Sequence, residues 1–424
     1  MLLRNVTCAI TALVLSATVL ASQDAAAIRA TPRIRAALDS IRAHNAWTIA
    51  QQISICELAA PPFHEAKRGL ELHRRFHALG LTNVRIDTEG NVIGERTGTG
   101  NGPTVVISGH LDTVFPEGTK LTVKRTGTRL AGPGIGDDCR GLAVLLSVAR
   151  AFNEVKLRQP GTIYFVGTVG EEGAGNLRGV RHLFTKEMKG RIDYFISVDG
   201  VGLGITSRAV GSHRYRVSYR GPGGHSYGAF GMPNPMHALG RAIAAISELR
   251  VPADPKTTFS VGIISGGTSV NSISGEATLE MDLRSESADA LETLDAEFQR
   301  AVKSAHAAEH ARWPDSKVRL TVKLDTMGIR PAGGQLDSSR IVRVAQDAQR
   351  AMGIPVGRTE ASSTDANIPM GLGIPAITID GGGTGGGAHS LAEWYDDGAD
   401  GFLGPQWAAL IAATLAAGGR NVVP

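Results

Sequence analysis

The chain has 424 residues, of which 42% are hydrophobic and 20% are charged. This composition is typical of a folded globular protein, and the length favours two or three domains over a single small core. The 53 glycines follow no Gly-X-Y period, which excludes a collagen-like structure. Lys and Arg number 44 against 40 for Asp and Glu, and they form no basic tract. Nucleic-acid binding therefore has little support.

The N-terminal segment has the pattern of a secretory signal peptide. Arg4 precedes an uncharged stretch over residues 5–23, and alanines at 21 and 25–27 offer small-residue cleavage sites. We therefore predict a signal peptide over residues 1–27 and a secreted or periplasmic protein with no membrane association after cleavage. An uncleaved membrane anchor is the alternative, but threonines and a serine dilute the apolar stretch.

The three cysteines are too few for a disulfide framework. Cys8 lies within the predicted signal peptide, so the mature chain keeps only Cys56 and Cys139. One pair does not staple a chain of this size, and we expect its stability to come from packing.

The first half of the mature chain alternates helical patterns with short apolar runs. The predicted helices span residues 32–55, 65–79 and 142–151. The predicted strands span 84–87 and 91–95, which form a hairpin, and 104–108, 162–168 and 194–198. Buried strands alternating with helices favour an α/β sheet covered on both faces.

The second half begins with a different order of elements, β-α-β-β-α-β, which is the ferredoxin-like unit. Its predicted strands span 214–219, 258–264, 277–283 and 318–324, and its helices span 236–249 and 288–306. A helix over 338–352, a strand over 376–379 and a helix over 407–417 follow. We interpret this as one α/β domain interrupted by a small α+β insert.

Residues that carry chemistry cluster at the ends of the predicted strands and in glycine-rich loops, where open α/β sheets bind ligands. Histidines and carboxylates in this pattern suit a divalent cation such as zinc. Five converging ligands, rather than three, suit a two-metal site with one bridging carboxylate. Seven candidate residues, from which such ligands and their neighbouring acid or base groups would come, lie at these positions: His110, Asp112, Asp137, Glu171, Glu172, Asp199 and His389.

Several motifs together resemble one known family. They are SGHLDTVFP at 108–116, GDDCRG at 136–141, VGEEG at 169–173, GGTSVN at 266–271, DLR at 282–284 and AH at 388–389. The chain resembles the di-zinc exopeptidases and deacylases that include peptidase T, carboxypeptidase G, carnosinase, acetylornithine deacetylase and succinyl-diaminopimelate desuccinylase. APPFHE at 60–65 and RPAG at 330–333 are most similar to the peptidase T branch.

The resemblance implies a fold and a domain organisation. The fold is a zinc-exopeptidase-like mixed sheet with helices on both faces, interrupted by a ferredoxin-like dimerisation or lid domain. The catalytic domain would comprise residues 28–210 and 328–424, and the lid domain residues 211–327. The chain would form a homodimer through the lid.

The resemblance also implies a role for each candidate residue at the metal centre. His110 and Asp199 would bind one zinc, Glu172 and His389 the other, and Asp137 would bridge them, with Co²⁺ or Mn²⁺ as alternative metals. Asp112 would orient the imidazole of His110. Glu171 would be the general base.

The lid residues would act on the substrate. His225 would reach across the dimer and stabilise the oxyanion in the partner's site, while Asn271 and Arg284 would hold the substrate. A surface ion pair is the alternative for Arg284. The implied activity is cleavage of the amide bond of small peptides by a metal-bridging hydroxide, of the aminopeptidase, dipeptidase or tripeptidase type. N-acyl-amino-acid deacylase or carboxypeptidase activity is the alternative. Within the family, Asp rather than Glu at 199 goes with aminopeptidases and dipeptidases, which favours the peptidase activity.

Besides Asp199, one residue departs from the common family pattern, and one motif suggests a different class of hydrolase. The family commonly has Lys where Arg140 or its neighbour Cys139 falls; we expect Cys139 to be buried and inert rather than a soft metal ligand. A Gly-x-Ser-x-Gly motif around Ser226, followed by Asp365 and His389, suits a serine hydrolase. However, Pro233 and Pro235 exclude the helix that this motif requires.

Two further hypotheses about the function have less support in the sequence. The glycines at 132–136 resemble a phosphate-binding loop, but no Gly-Lys-Ser/Thr follows them. A non-catalytic binding protein is disfavoured because every proposed metal ligand and the base are present.

Overall fold

The structure of the protein is a computed structural model that describes residues 24–418. Most of the predicted signal peptide, including Cys8, lies outside these residues. Its last residues are described: Asp24 caps the first helix, and Ala25 is fully buried in that helix. Within residues 24–418, no helix is both long enough and apolar enough to cross a membrane.

The described chain before residue 211 contains six α-helices and eight strands. The helices are α1 (Ala25–Ala30), α2 (Pro32–Ala43), α3 (Asn45–Cys56), α4 (Ala66–Ala78), α5 (Cys139–Glu154) and α6 (Arg178–His182). The strands are β1 (Thr82–Ile86), β2 (Val92–Arg96), β3 (Val105–His110), β4 (Lys124–Thr126), β5 (Arg129–Ala131), β6 (Ile163–Thr168), β7 (Tyr194–Val198) and β8 (Ile205–Ala209).

The next segment forms a separate layer of strands and helices, which we call the lid. Its elements are β9 (Gly211–Arg220), β10 (Gly224–His225), α7 (Pro235–Ser247), β11 (Thr257–Gly266), β12 (Ser272–Ile273), β13 (Glu276–Ser285), α8 (Ala288–Ala311) and β14 (Thr321–Arg330). Four strands pair antiparallel in the order β11-β13-β9-β14, and α7 and α8 cover one face around their own apolar core. This confirms the ferredoxin-like unit.

The remaining elements return to the first domain. They are β15 (Gly333–Gly334), α9 (Arg340–Met352), β16 (Glu360–Ser362), α10 (Asn367–Gly371), β17 (Ala376–Ile379), β18 (Thr384–Gly386), β19 (Trp394–Asp396) and α11 (Leu403–Ala417). β18 and β19 join β5 and β4 in a small antiparallel sheet. The predicted domain limits stay predictions, although β14 continues the lid sheet as far as Arg330.

The main sheet is mixed, and the described part of the chain gives it nine strands, in the order β1-β2-β6-β3-β7-β17-β8-β15, with β16 paired to β8. The pairs β6–β3, β3–β7 and β7–β17 are parallel. Strand residues alternate between two apolar layers: Val105 and Ile107 face one, and Val106 faces the other. Helices α5, α9 and α11 cover the first layer, and α6 and α10 cover the second. The prediction of a mixed sheet covered on both faces is confirmed.

One predicted helix is wrong in its extent. The pattern over 32–55 forms two helices, α2 and α3, which meet at His44. The backbone of His44 leaves helical values there, at φ −102° and ψ 21°, and its ring contacts the carbonyl oxygen of Ser40 at 3.0 Å. Ile41 and Ile49 are nonetheless both buried, so the turn keeps both apolar faces against the core.

Candidate active site

The predicted metal ligands gather at one edge of the main sheet. Strands β3, β6, β7 and β17 are parallel there, so their carboxyl ends meet. His110 ends β3, Asp199 follows β7, and Glu172 follows β6 by a short loop. Asp137 lies in the loop before α5, and His389 lies in the glycine-rich loop beyond β18.

Asp137 stands between the two histidines. Its Oδ1 lies 2.9 Å from His110 Nε2, and its Oδ2 lies 3.0 Å from His389 Nε2. Each histidine has a second carboxylate nearby: Asp199 Oδ1 is 4.0 Å from His110 Nε2, and Glu172 Oε1 is 3.1 Å from His389 Nε2. The two carboxylate oxygens of Asp137 therefore face two different ligand sets.

These ligand sets have the chemistry of a pair of divalent cation sites. In each set, one ligand atom per residue lies within 4.8 Å of the others: His110 with Asp137 and Asp199, and Asp137 with Glu172 and His389. Each set offers one imidazole nitrogen and two carboxylates, which suits zinc and related metals. The residues present therefore fit two cations that share Asp137.

The crowding of carboxyl groups at the site also favours the binding of cations. Burial, followed by repulsion from Asp137 and Glu171, raises the pKa of Glu172 to about 8. Burial and the nearby Asp137 raise the pKa of Asp199 well above its usual range. Carboxyl groups crowded in this way ionise readily only beside positive charge. Bound cations would supply that charge, because the ion is the largest local charge in such a site.

Asp112 fixes the backbone that carries the ligands. Its carboxylate accepts hydrogen bonds from the backbone N–H groups of Glu171 at 3.0 Å and Glu172 at 2.8 Å. The Nδ1 of His110 lies 3.0 Å from the backbone oxygen of Asp112 and 3.7 Å from its carboxylate. The backbone oxygen thus orients the imidazole most closely, and orientation by the carboxylate stays a prediction.

The loop that carries Asp137 is held by two other acidic residues. Asp138 accepts hydrogen bonds from the N–H of Gly141 at the start of α5 and from the N–H of His110 at the end of β3. Glu393 is buried, and its carboxylate accepts from Gly134 N, Gly136 N and Asp137 N at 2.8, 2.8 and 3.0 Å. Both contacts restrict where the Asp137 side chain can lie.

A buried arginine forms hydrogen bonds with the backbone beside the same edge of the sheet. Arg68 of α4 is 1% exposed and donates hydrogen bonds to the carbonyls of Leu58 and Leu111. Burial lowers the pKa of Arg68 to about 10, and the nearby Asp112 and Asp138 oppose that shift. The guanidinium therefore stays charged at neutral pH and offsets part of the buried negative charge.

Glu171 has a different environment from its neighbour Glu172. It is 5% exposed, and Arg330 Nη1 lies 3.0 Å from its Oε1. Burial raises the pKa of Glu171, while the positive charge of Arg330 opposes that rise. Glu171 also lies within reach of His110 and Glu172, so a proton acceptor stands beside the ligand sets.

The expectation that Cys139 is buried is confirmed, but its thiol is not free. Cys139 is buried and forms a disulfide with Cys56, and their Cα atoms are 5.4 Å apart. The bond joins the end of α3 to the start of α5, two residues after Asp137. The two cysteines are 83 residues apart in the chain, so only the packing of α3 on α5 brings them together.

A cavity of about 520 Å³ opens over the ligand sets. Its wall combines the metal-centre carboxylates with arginines of the lid. The charged residues that line it are Asp137, Glu171, Glu172, Asp199, Arg214, Arg284, Arg330, Glu360, Asp380 and His389. The lid and the main sheet therefore share one polar site.

Residues 106–404 match the model of peptidase family M20/M25/M40. The chain belongs to this family. Carboxypeptidase G2 of Pseudomonas sp. is 28% identical over 74% of this chain and 75% of its own length. Two solved structures share the fold: a tripeptidase from Staphylococcus aureus and the YXEP protein of Bacillus subtilis, a dinuclear metal-binding peptidase. The tripeptidase has a TM-score of 0.71 at 20% identity and covers 87% of this chain and 98% of its own. The YXEP protein has a TM-score of 0.67 at 18% identity and covers 88% of this chain and 98% of its own.

This M20-family chain is thus a metal-dependent hydrolase of the peptidase type, as the sequence motifs predicted.

The three candidate residues of the lid lie in two different places, one at the cavity and two away from it. Arg284 lines the cavity, and its Nε also lies 2.7 Å from Asp282 Oδ2, so the predicted ion pair exists beside the site. His225 and Asn271 lie instead at the exposed tip of the lid, where β10 pairs with β12. Neither lines the cavity of its own chain.

The serine-hydrolase alternative finds no support in the described residues. Ser226 begins a turn rather than a helix, so the strand–turn–helix context of a nucleophile elbow is missing. His389 contacts Asp137 and Glu172, and Asp365 accepts a hydrogen bond from Thr168. Within residues 24–418, no hydrogen bond joins Ser226 to His389 or Asp365.

Four supporting residues were not assigned roles from the sequence: Arg68, Asp138, Glu393 and Arg330. Asp138 had a signal, because an Asp before an apolar helix predicts an N-cap. Arg330 lay in a motif that carried the family resemblance, although no role followed from it. Arg68 and Glu393 had no signal, because their partners are backbone groups brought near only by folding.

Proposed function

We propose that the protein is a secreted di-zinc exopeptidase that hydrolyses small peptides, of the aminopeptidase, dipeptidase or tripeptidase type. One observation carries the proposal. The two oxygens of Asp137 face His110 and His389 separately, and each histidine has its own second carboxylate. This arrangement suits a pair of metal ions that share one ligand.

Zinc ions bound there would polarise the amide carbonyl and make the attacking water more acidic. Glu171 would accept the proton of that water and deliver it to the leaving amine. The adjacent Glu172 belongs to a ligand set, and successive side chains of an extended segment point apart. The pair can therefore divide the two tasks.

The cavity suggests how the substrate is held. Arg214 and Arg284 both line it, and an arginine suits a substrate carboxylate. Small peptides and N-acyl amino acids both carry such a group. Deacylase or carboxypeptidase activity is therefore the second candidate, and the likeness to carboxypeptidase G2 favours it. Asp rather than Glu at 199 supports the peptidase type.

Secretion and dimerisation complete the proposal. The disulfide between Cys56 and Cys139 is typical of an oxidising compartment. Because Ala25 packs in α1, we expect signal cleavage before Asp24, which the mass of the mature protein would reveal. The exposed position of His225 suits action on a second copy of the chain, as the family resemblance implied.

The decisive experiment compares two neighbouring carboxylates. Glu171→Gln should retain two metals per chain and lose about 10²–10⁴-fold in kcat, because Gln fills the space but accepts no proton. Glu172→Gln is the matched variant and should lose metal. Elemental analysis and turnover of dipeptides, tripeptides and N-acyl amino acids provide the readouts. Near-wild-type turnover of metal-loaded Glu171→Gln would overturn the assignment.

A further inference from the structure

Arg330 occupies the junction between the lid and the main sheet. It is the last residue of β14, where it pairs in register with Ser212 at the start of β9. The chain then enters β15, which pairs with β8 of the main sheet. The chain passes from the main-sheet domain into the lid between β8 and β9, and returns between β14 and β15. Both of these connections therefore lie next to Arg330.

The Arg330 side chain points from this junction to Glu171. Its Nη1 donates to Glu171 Oε1 at 3.0 Å and to Ser363 Oγ at 3.1 Å, and its Nη2 donates to the backbone oxygen of Glu171. Both residues are 5% exposed. One guanidinium thus holds both the carboxylate and the main chain of the same residue.

This geometry restrains the direction of the Glu171 carboxylate. With one oxygen held by Arg330, the carboxylate cannot rotate freely, and its other oxygen remains for the reaction centre. A planar guanidinium suits this task because its donors form a rigid fork. A lysine could supply the charge but not both contacts in the same geometry.

We propose that Arg330 is a positioning residue for Glu171, and that it couples the direction of the base to the seating of the lid. This inference rests on the proposed function of Glu171. Arg330 also lines the cavity, so direct substrate binding and a purely structural role are the competing explanations.

A double-mutant cycle separates these roles. Arg330→Ala should lower kcat by about 10²-fold, the typical effect of misplacing a catalytic group, with KM and metal content nearly unchanged. In the Glu171→Gln background, the same substitution should cost little more. Added guanidinium should restore part of the turnover of Arg330→Ala, but not that of the double variant.

Arg181→Ala is the matched control, because Arg181 donates to the carbonyl of Ile329 at the same end of β14. It should leave kcat close to wild type. If Arg330→Ala fails to fold, Arg330→Lys replaces it in the cycle, with kcat below wild type expected. Additive losses, or a raised KM with unchanged kcat, would overturn the proposal. Turnover retained in Glu171→Gln would instead overturn the proposed function.

Discussion

The metal-centre edge of the main sheet and the tip of the lid differ in how completely one chain builds them. At the edge, His110 is 2% exposed; its backbone N–H donates to Asp138, and its ring contacts the backbone oxygen of Asp112. At the tip, Tyr227 is 90% exposed and Phe230 is 75% exposed. Within residues 24–418, the ring of His225 forms hydrogen bonds only with its own turn, accepting from the N–H groups of Tyr227 and Gly228.

The difference follows from the cost of burying charge. Buried carboxylates require hydrogen bonds or cations, so residues such as Asp138, Glu393 and Arg68 must accompany the ligands within the same chain. An exposed histidine has no such requirement. The metal centre is therefore a property of the single chain, whereas any role of the tip depends on a surface outside it.

The largest expected effect tests whether the metal centre has one shared ligand. Asp137→Ala should lower metal occupancy at both sites and abolish activity, because both ligand sets include Asp137. His389→Ala should mainly empty one site. Elemental analysis after exhaustive dialysis measures the difference. Two metals retained in Asp137→Ala would contradict the bridging role.

A smaller effect is expected at the tip. His225→Ala should fold normally and retain both metals, but lose about 10²–10³-fold in kcat, as hydrolases do when an oxyanion donor is removed. A histidine that serves only its exposed turn would leave the activity nearly unchanged. Steady-state kinetics on metal-loaded protein distinguish the two outcomes.

Mixing two inactive variants tests whether the tip acts on a second copy. In a heterodimer of His225→Ala and Glu171→Gln chains, action across the dimer leaves one site intact. After full subunit exchange, an equimolar mixture should recover about a quarter of the wild-type activity, because about half of the dimers are heterodimers. No recovery with confirmed exchange would show that His225 does not act on the partner.

Removing the disulfide should have the smallest effect on turnover of the changes considered, but a large effect on the free energy of unfolding. Replacing Cys56 and Cys139 together by Ala should lower the free energy of unfolding by about 4 kcal/mol, given the 83-residue separation. Metal affinity should also fall, because the bond supports the start of α5. His225→Ala should leave the unfolding free energy unchanged, which chemical denaturation of both variants would measure.

Much of the fold could be predicted from the sequence, because its helices and strands follow from local residue patterns. The apolar runs of β6, β7 and β17 and the order of elements in the lid are periodic signals that survive without tertiary context. Glycine-flanked polar residues at strand ends also indicated the candidate ligands, since parallel strands bring their carboxyl ends together.

Only the tertiary structure decided which groups support that site. The disulfide between Cys56 and Cys139, the three backbone bonds of Glu393 and the contact of Arg330 with Glu171 join segments that lie far apart in the chain. No local pattern specifies such pairings, because they result from how helices and loops pack. The sequence alone determined which candidate ligand types are present and which strand ends and loops carry them. Packing decided the direction in which each side chain points, because that direction depends on neighbours brought together only by folding.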